Sequence, residues 1–97
     1  MATYITLVRY TDQGVRNMKE APARIEAARN LMKDMDCKLV AYYLTLGGYD
    51  AVTIAEAPDD ETVARATLKI AGQGNVSTTT LRAFDEVEAV RIFESLG

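Results

Sequence analysis

The stretch Cys37–Ala57, CKLVAYYLTLGGYDAVTIAEA, is where the architecture of this chain becomes readable. Cys37–Leu46 has no proline and is rich in β-branched and aromatic residues, which fit a pleated, packed surface. Gly47, Gly48, Tyr49 and Asp50 interrupt it, Ala51–Ala57 resumes in the same style, and Pro58 stops it. The pair reads as a hairpin. A strand with one wet face alternates apolar and polar residues. Here one side carries Leu39, Ala41, Tyr43 and Thr45, and the other Val40, Tyr42, Leu44 and Leu46. Both faces of this strand need cover.

Working outward, TYITLVRY (Thr3–Tyr10) is the first strand, again apolar on two sides. Thr11 and Asp12 are N-cap types, and a short helical turn through Val15 and Met18 can follow. Pro22, tolerated only at a helix start, places a break near Ala21. From Pro22 to about Met35, Ile25, Ala28, Leu31, Met32 and Met35 form one apolar stripe, with Arg24, Glu26, Arg29 and Lys33 on the solvated face. After Pro58, Asp59 or Asp60 caps a second long helix that buries Val63, Ala66, Thr67 and Ile70 and ends at Gly72 or Gly74. NVSTTTLRAF (Asn75–Phe84) is a fourth strand. DEVEAVRIFESLG closes the chain as a helix capped near Asp85, burying Val87, Val90 or Ile92, Phe93 and Leu96.

The order β-α-β-β-α-β-α predicts one α+β domain over residues 1–97. Its expected form is a ferredoxin-like, four-stranded antiparallel sheet with two helices on one face and an extra C-terminal helix. Two helices cover only one face of such a sheet, and exposing a residue such as Leu44 forfeits roughly 1.5–3 kcal/mol. The second face is therefore expected to pack against a second copy, sheet to sheet, in a two-fold dimer or larger homo-oligomer. The competing arrangement folds the last helix back over that face.

The composition rules out several chemistries. At 97 residues the chain is 48% hydrophobic and carries a net charge of −3, with no histidine, no tryptophan and one cysteine. A histidine-ligated metal or haem, a His-based triad, a zinc ribbon and a cysteine-held cluster are excluded, and no metal or cofactor is expected. The acidic balance argues against nucleic acid, and no apolar run reaches membrane-spanning length. No signal peptide is evident and Cys37 has no disulfide partner, which points to the cytoplasm.

Four motifs now stand in register: TDQG after the first strand, GGYD in the hairpin, EAPDDE opening the second long helix, and GNVSTTTLRAF in the last strand. Together they resemble the GYD-domain family, over nearly the whole chain from Tyr4 to about Glu88. The resemblance implies a dimeric α+β barrel, in which two ferredoxin-like units associate through their sheets. It implies no particular reaction.

GGYD has two readings. As a turn, its glycines Gly47 and Gly48 supply positive φ, Tyr49 covers the neighbouring edge, and Asp50 accepts backbone N–H bonds. As a site, Tyr49 and Asp50 face a pocket between sheet and helices. Arg9 and Tyr10 from the first strand, Asn17 from the next segment and Tyr43 from the second strand complete that set, around a small apolar or aromatic molecule. GQGN (Gly72–Asn75) lacks the residues of a phosphate loop, and Cys37 lacks a base to activate it. Two functions follow. One is a small oligomeric ligand-binding or accessory module. The other is a cofactor-independent monooxygenase- or isomerase-like enzyme, with Asp50, Tyr49 and Tyr43 as acid/base or orienting groups.

Overall fold

Caps and breakers divide the chain. Thr11 Oγ1 accepts the Gly14 N–H at 3.2 Å and starts α1 (Asp12–Arg16), which gives way to a 3-10 turn at Met18–Glu20. With Pro22 in its first turn, α2 runs Ala21–Asp34. Asp36 then turns the chain with φ of 62°, a conformation that aspartate tolerates better than most residues. Asp59 Oδ1 accepts the Thr62 N–H at 2.8 Å to begin α3 (Asp60–Ala71). At α4 (Glu86–Glu94), Asp85 and Glu88 form a reciprocal capping box.

The computed structural model describes residues 1–97. Strands β1 (Ala2–Tyr10), β2 (Lys38–Leu44), β3 (Ala51–Ala57) and β4 (Val76–Ala83) form one antiparallel sheet in the order β2-β3-β1-β4. This is the expected ferredoxin-like α+β topology. Helices α2 and α3 lie on one face. The core they close is small: Tyr4, Met32, Cys37, Ala55, Ala57, Val63 and Ala66, with Leu31, Met35, Leu39 and Ile70 packed at its margin.

The structure corrects the strict alternation expected along β2. Leu39 pairs with Ala55 and Ala41 with Ile54, so Val40 is an extra residue in a β-bulge. The bulge resets the faces. Leu39 and Tyr42 both lie toward the helices, while Ala41 and Tyr43 lie on the other side. Directly paired residues share a face. Two apolar rows therefore cross the helix-free side: Ala41, Ile54, Ile5 and Leu81 in one, and Tyr43, Val52 and Leu7 in the next.

The last helix also departs from expectation. Val87, Val90 or Ile92, Phe93 and Leu96 are the residues expected to be buried, yet all five are exposed, Phe93 to 67%. α4 leaves the end of edge strand β4 and projects past the sheet, drawing the molecule out to 52 × 31 × 17 Å. It does not fold back over the sheet. The helix-free face is left open.

Candidate functional site

The space between sheet and helices holds a cavity of about 120 Å³. The antiparallel arrangement sorts its lining by chemistry. Toward the start of β1 lie Met32, Leu39, Ala55, Val63 and Ala66, continuous with the core. Toward the end of β1, where α2 begins and β4 starts, lie Tyr10, Arg24, Tyr42, Gln73 and Asn75. Threonines 6, 53 and 78 form the floor between them; the Thr53 and Thr78 hydroxyls make no hydrogen bond within the chain, whereas Thr6 Oγ1 bonds Thr80 Oγ1 at 3.0 Å.

At the polar end the two phenols Tyr10 and Tyr42 meet at 2.8 Å. Burial, and then the bond to Tyr10, push the Tyr42 hydroxyl well above the usual phenol range, so it stays protonated. Arg24 reaches from the first turn of α2. Its guanidinium donates to the carbonyls of Asn17 at 2.7 Å and Gly14 at 3.2 Å. It belongs to none of the chain's salt bridges, which pair Arg29 with Glu26, Arg65 with Glu61 and Arg82 with Glu88. Its charge is held by neutral carbonyls alone.

Of the residues singled out from the sequence, Tyr10 lines the cavity. Asp50 stands at its edge: Oδ2 accepts the Tyr10 N–H at 2.8 Å, and the Asp50 N–H donates to the Val8 carbonyl at 2.8 Å. Asp50 thus ties the hairpin to β1. Arg9 lies on the other side of the sheet, over the Tyr49 ring at 4.8 Å. Tyr43 is also on that side and is exposed. Asn17 shapes the site through its backbone, since its carbonyl receives Arg24. Of the glycines, Gly47 takes positive φ, at 112°, and Gly48 does not. Tyr43, Tyr49 and Asp50, grouped in the enzymatic reading, are not brought together in the cavity.

Arg24, Tyr42, Gln73 and Asn75 did not stand out in the sequence. Arg24 carried a signal, since Ala21, Arg24, Ala28 and Met32 recur at three- and four-residue steps along one helical stripe. Tyr42 was hidden by the bulge. Elsewhere, burial and then the Asp36 and Asp59 charges raise the Cys37 thiol, which therefore packs rather than reacts. No group of histidine, cysteine or carboxylate side chains is placed to hold a metal ion.

Fold and cavity define a small ferredoxin-like α+β domain with a pocket beneath its sheet. The chain belongs to the GYD domain family, whose pattern it matches over residues 4–93. It is 41% identical over 91 residues to a Thermus thermophilus protein named glutamine synthetase and cystathionine beta-lyase binding protein, covering 93% of this chain and 96% of that one. Among solved structures it resembles TTHA0845 from Thermus thermophilus, with 23% identity and a TM-score of 0.57 over 87% of this chain and 94% of that one. It also resembles the leucine response regulatory protein of Mycobacterium tuberculosis, with 15% identity and a TM-score of 0.65 over 87% of this chain and 51% of that one. These two likenesses concern the fold. No helix is long and apolar enough to cross a membrane.

Proposed function

We propose that this protein is a self-associating accessory module that docks on a metabolic enzyme of the glutamine synthetase or cystathionine β-lyase type. The observation that carries the reading is the 41% identity, over nearly the full length of both chains, to a protein named for binding those two enzymes. The surface supports it. A compact chain of 10.7 kDa exposes about 5,500 Å², and this one exposes 6510 Å². The excess of roughly 1,000 Å² is close to what one partner contributes to a standard protein interface, about 800 Å². A second copy laid on the rows through Ile54 and Leu7 covers the helix-free face in a two-fold dimer, and exposed α4 remains to reach a further partner. The setting is the cytoplasm, where the unpaired thiol of Cys37 stays reduced.

Biolayer interferometry with purified glutamine synthetase and cystathionine β-lyase from the same organism tests the docking. At least one should bind with a Kd at or below about 10 μM. Silence from both enzymes at about 100 μM, with the chain folded by circular dichroism, would sink the assignment.

A further inference from the structure

The docking proposed above does not draw on the cavity beneath the sheet, whose lining changes chemistry from one end to the other. One end is apolar and runs into the core. The other gathers hydrogen-bond donors, with one carboxylate, Asp50, at its edge already accepting the Tyr10 N–H. Arg24 spends part of its fork on the Gly14 and Asn17 carbonyls and keeps its remaining N–H groups, with no carboxylate paired to it. Tyr10 and Tyr42 hold two hydroxyl protons between them and use one on each other, so the second is left to donate. The Gln73 side chain makes no hydrogen bond within the chain, and Asn75 accepts Gln13 Nε2 at 3.0 Å through Oδ1, leaving its own amide N–H₂ free. The first turn of α2 has no acidic residue, and the Glu20 side chain at its N-cap makes no capping bond, so the helix dipole adds positive potential at the same end.

A half-buried guanidinium without a counter-ion, beside a phenol held protonated, matches an anion that accepts rather than donates. Arg presents parallel N–H groups that fit a carboxylate. Size limits the rest. A cavity of about 150 Å³ lined by apolar side chains admits benzene, and this one, at about 120 Å³, is somewhat smaller, so it takes at most a body of that size with the carboxylate held at the polar end. The geometry points to a small monocarboxylic acid with a compact branched or aromatic body of about four to six carbons as the occupant. Its carboxylate lies on Arg24 and the free phenol proton. Its body extends over the threonine floor toward Leu39, Val63 and Ala66. This assignment goes beyond the docking reading and does not depend on it.

Titrations followed by NMR on the full chain test it, with 3-methylbutanoate and benzoate as probes and 3-methylbutanamide and benzamide as neutral counterparts of the same shape. The acids should shift the Arg24 Nε–H and the Tyr10 and Tyr42 ring signals saturably, and the amides should bind at least about tenfold more weakly. Arg24→Gln should erase the preference for the acids. Because Arg24 also carries the α1 carbonyls, Ala28→Leu serves as a second variant. It fills the cavity from α2 and should weaken acids and amides alike. The assignment is overturned by any of three results: no saturable shift with either acid up to about 10 mM, amides binding as well as acids, or Ala28→Leu binding the acids like the parent chain. Failure to dock an enzyme leaves each of these outcomes unchanged, so the two readings fall separately.

Discussion

Asp50 sits where the ladder between β1 and β3 runs out. The last pair is Val8 with Ala51, and one step further the Asp50 carboxylate takes the Tyr10 N–H that the departing strand no longer serves. A backbone donor left unpaired in a half-buried position costs about 1–3 kcal/mol. Asp50→Ala should therefore lower the unfolding free energy by that amount in urea titrations. Asp50→Asn keeps an acceptor oxygen and should lose less than half as much. Equal losses in the two variants would show that the bond to Tyr10 is not what holds the hairpin. Tyr4 makes a second test at a single side chain. Burial, followed by its bond to Asp60 Oδ1 at 2.5 Å, raises its pKa to about 12. The folded value lies above the unfolded value of about 10, so folding favours the protonated phenol. Its contribution is complete below about pH 10 and is lost as pH rises toward 12. Tyr42 acts in the same direction. Absorbance at about 295 nm should show Tyr4 and Tyr42 ionising above the usual phenol range, and Tyr4→Phe should flatten part of the alkaline fall in stability. An unchanged slope in Tyr4→Phe would assign that fall to other groups.

The elements themselves were largely legible, because local chemistry fixes them. Pro22 and Pro58, the aspartates at 59 and 85, and the glycines after α3 mark ends that the backbone obeys whatever the tertiary context. The bulge at Val40 was not legible. It depends on how β2 seats against β3 and α2, and nothing in LVAYY distinguishes one extra residue from a continuous strand. That single offset turned Tyr42 rather than Tyr43 toward the cavity, beside Tyr10. Arg24 was missed for a related reason: a charged side chain on a helix is usually solvated, and only the packed arrangement shows it lying over a pocket. Close approach of α1 to the start of β4 is likewise a tertiary fact. A Cβ on Gly14 would meet the Asn75 carbonyl oxygen at 2.2 Å. The oxygen is backbone and cannot step aside, so Gly14→Ala should cost roughly 1–3 kcal/mol or more by overpacking, read as a lower urea midpoint. A variant as stable as the parent would mean that α1 is loosely docked. α4 leads to the opposite expectation. Burying a phenylalanine commonly makes its removal cost about 3–5 kcal/mol. Phe93 is 67% exposed, so Phe93→Ser should change the stability of the dilute chain by less than about 0.5 kcal/mol.

At the level of the molecule, the sheet face for which the sequence predicts a cover is open. The radius of gyration is 14.6 Å, against about 12.5 Å for a compact chain of this length, and only 10 of 97 residues are buried. A core this small gives limited stability on its own, because a short chain buries little of its surface. The row Ala41–Ile54–Ile5–Leu81 crosses all four strands without a charge. Tyr43 and Leu81, 58% and 47% exposed, extend the apolar surface toward the two edges. Such a face has no reason to remain wet when a second copy offers its match. The helices already occupy the other side, so in the dimer proposed above the contact runs sheet to sheet. Ile54 lies near the middle of that contact, on inner strand β3. Ile54→Lys keeps a long aliphatic stem but places an ammonium group in the centre of the dimer, where burial without a partner costs several kcal/mol. Sedimentation velocity across about 1–100 μM should find the parent chain as a dimer and Ile54→Lys as a folded monomer, with the dimer Kd raised by at least about a hundredfold. Leu81→Lys, nearer the edge on β4, should weaken the dimer less, since an edge lysine can reach water. If Ile54→Lys dimerises like the parent, the association runs through α4 and the open face is not its seat.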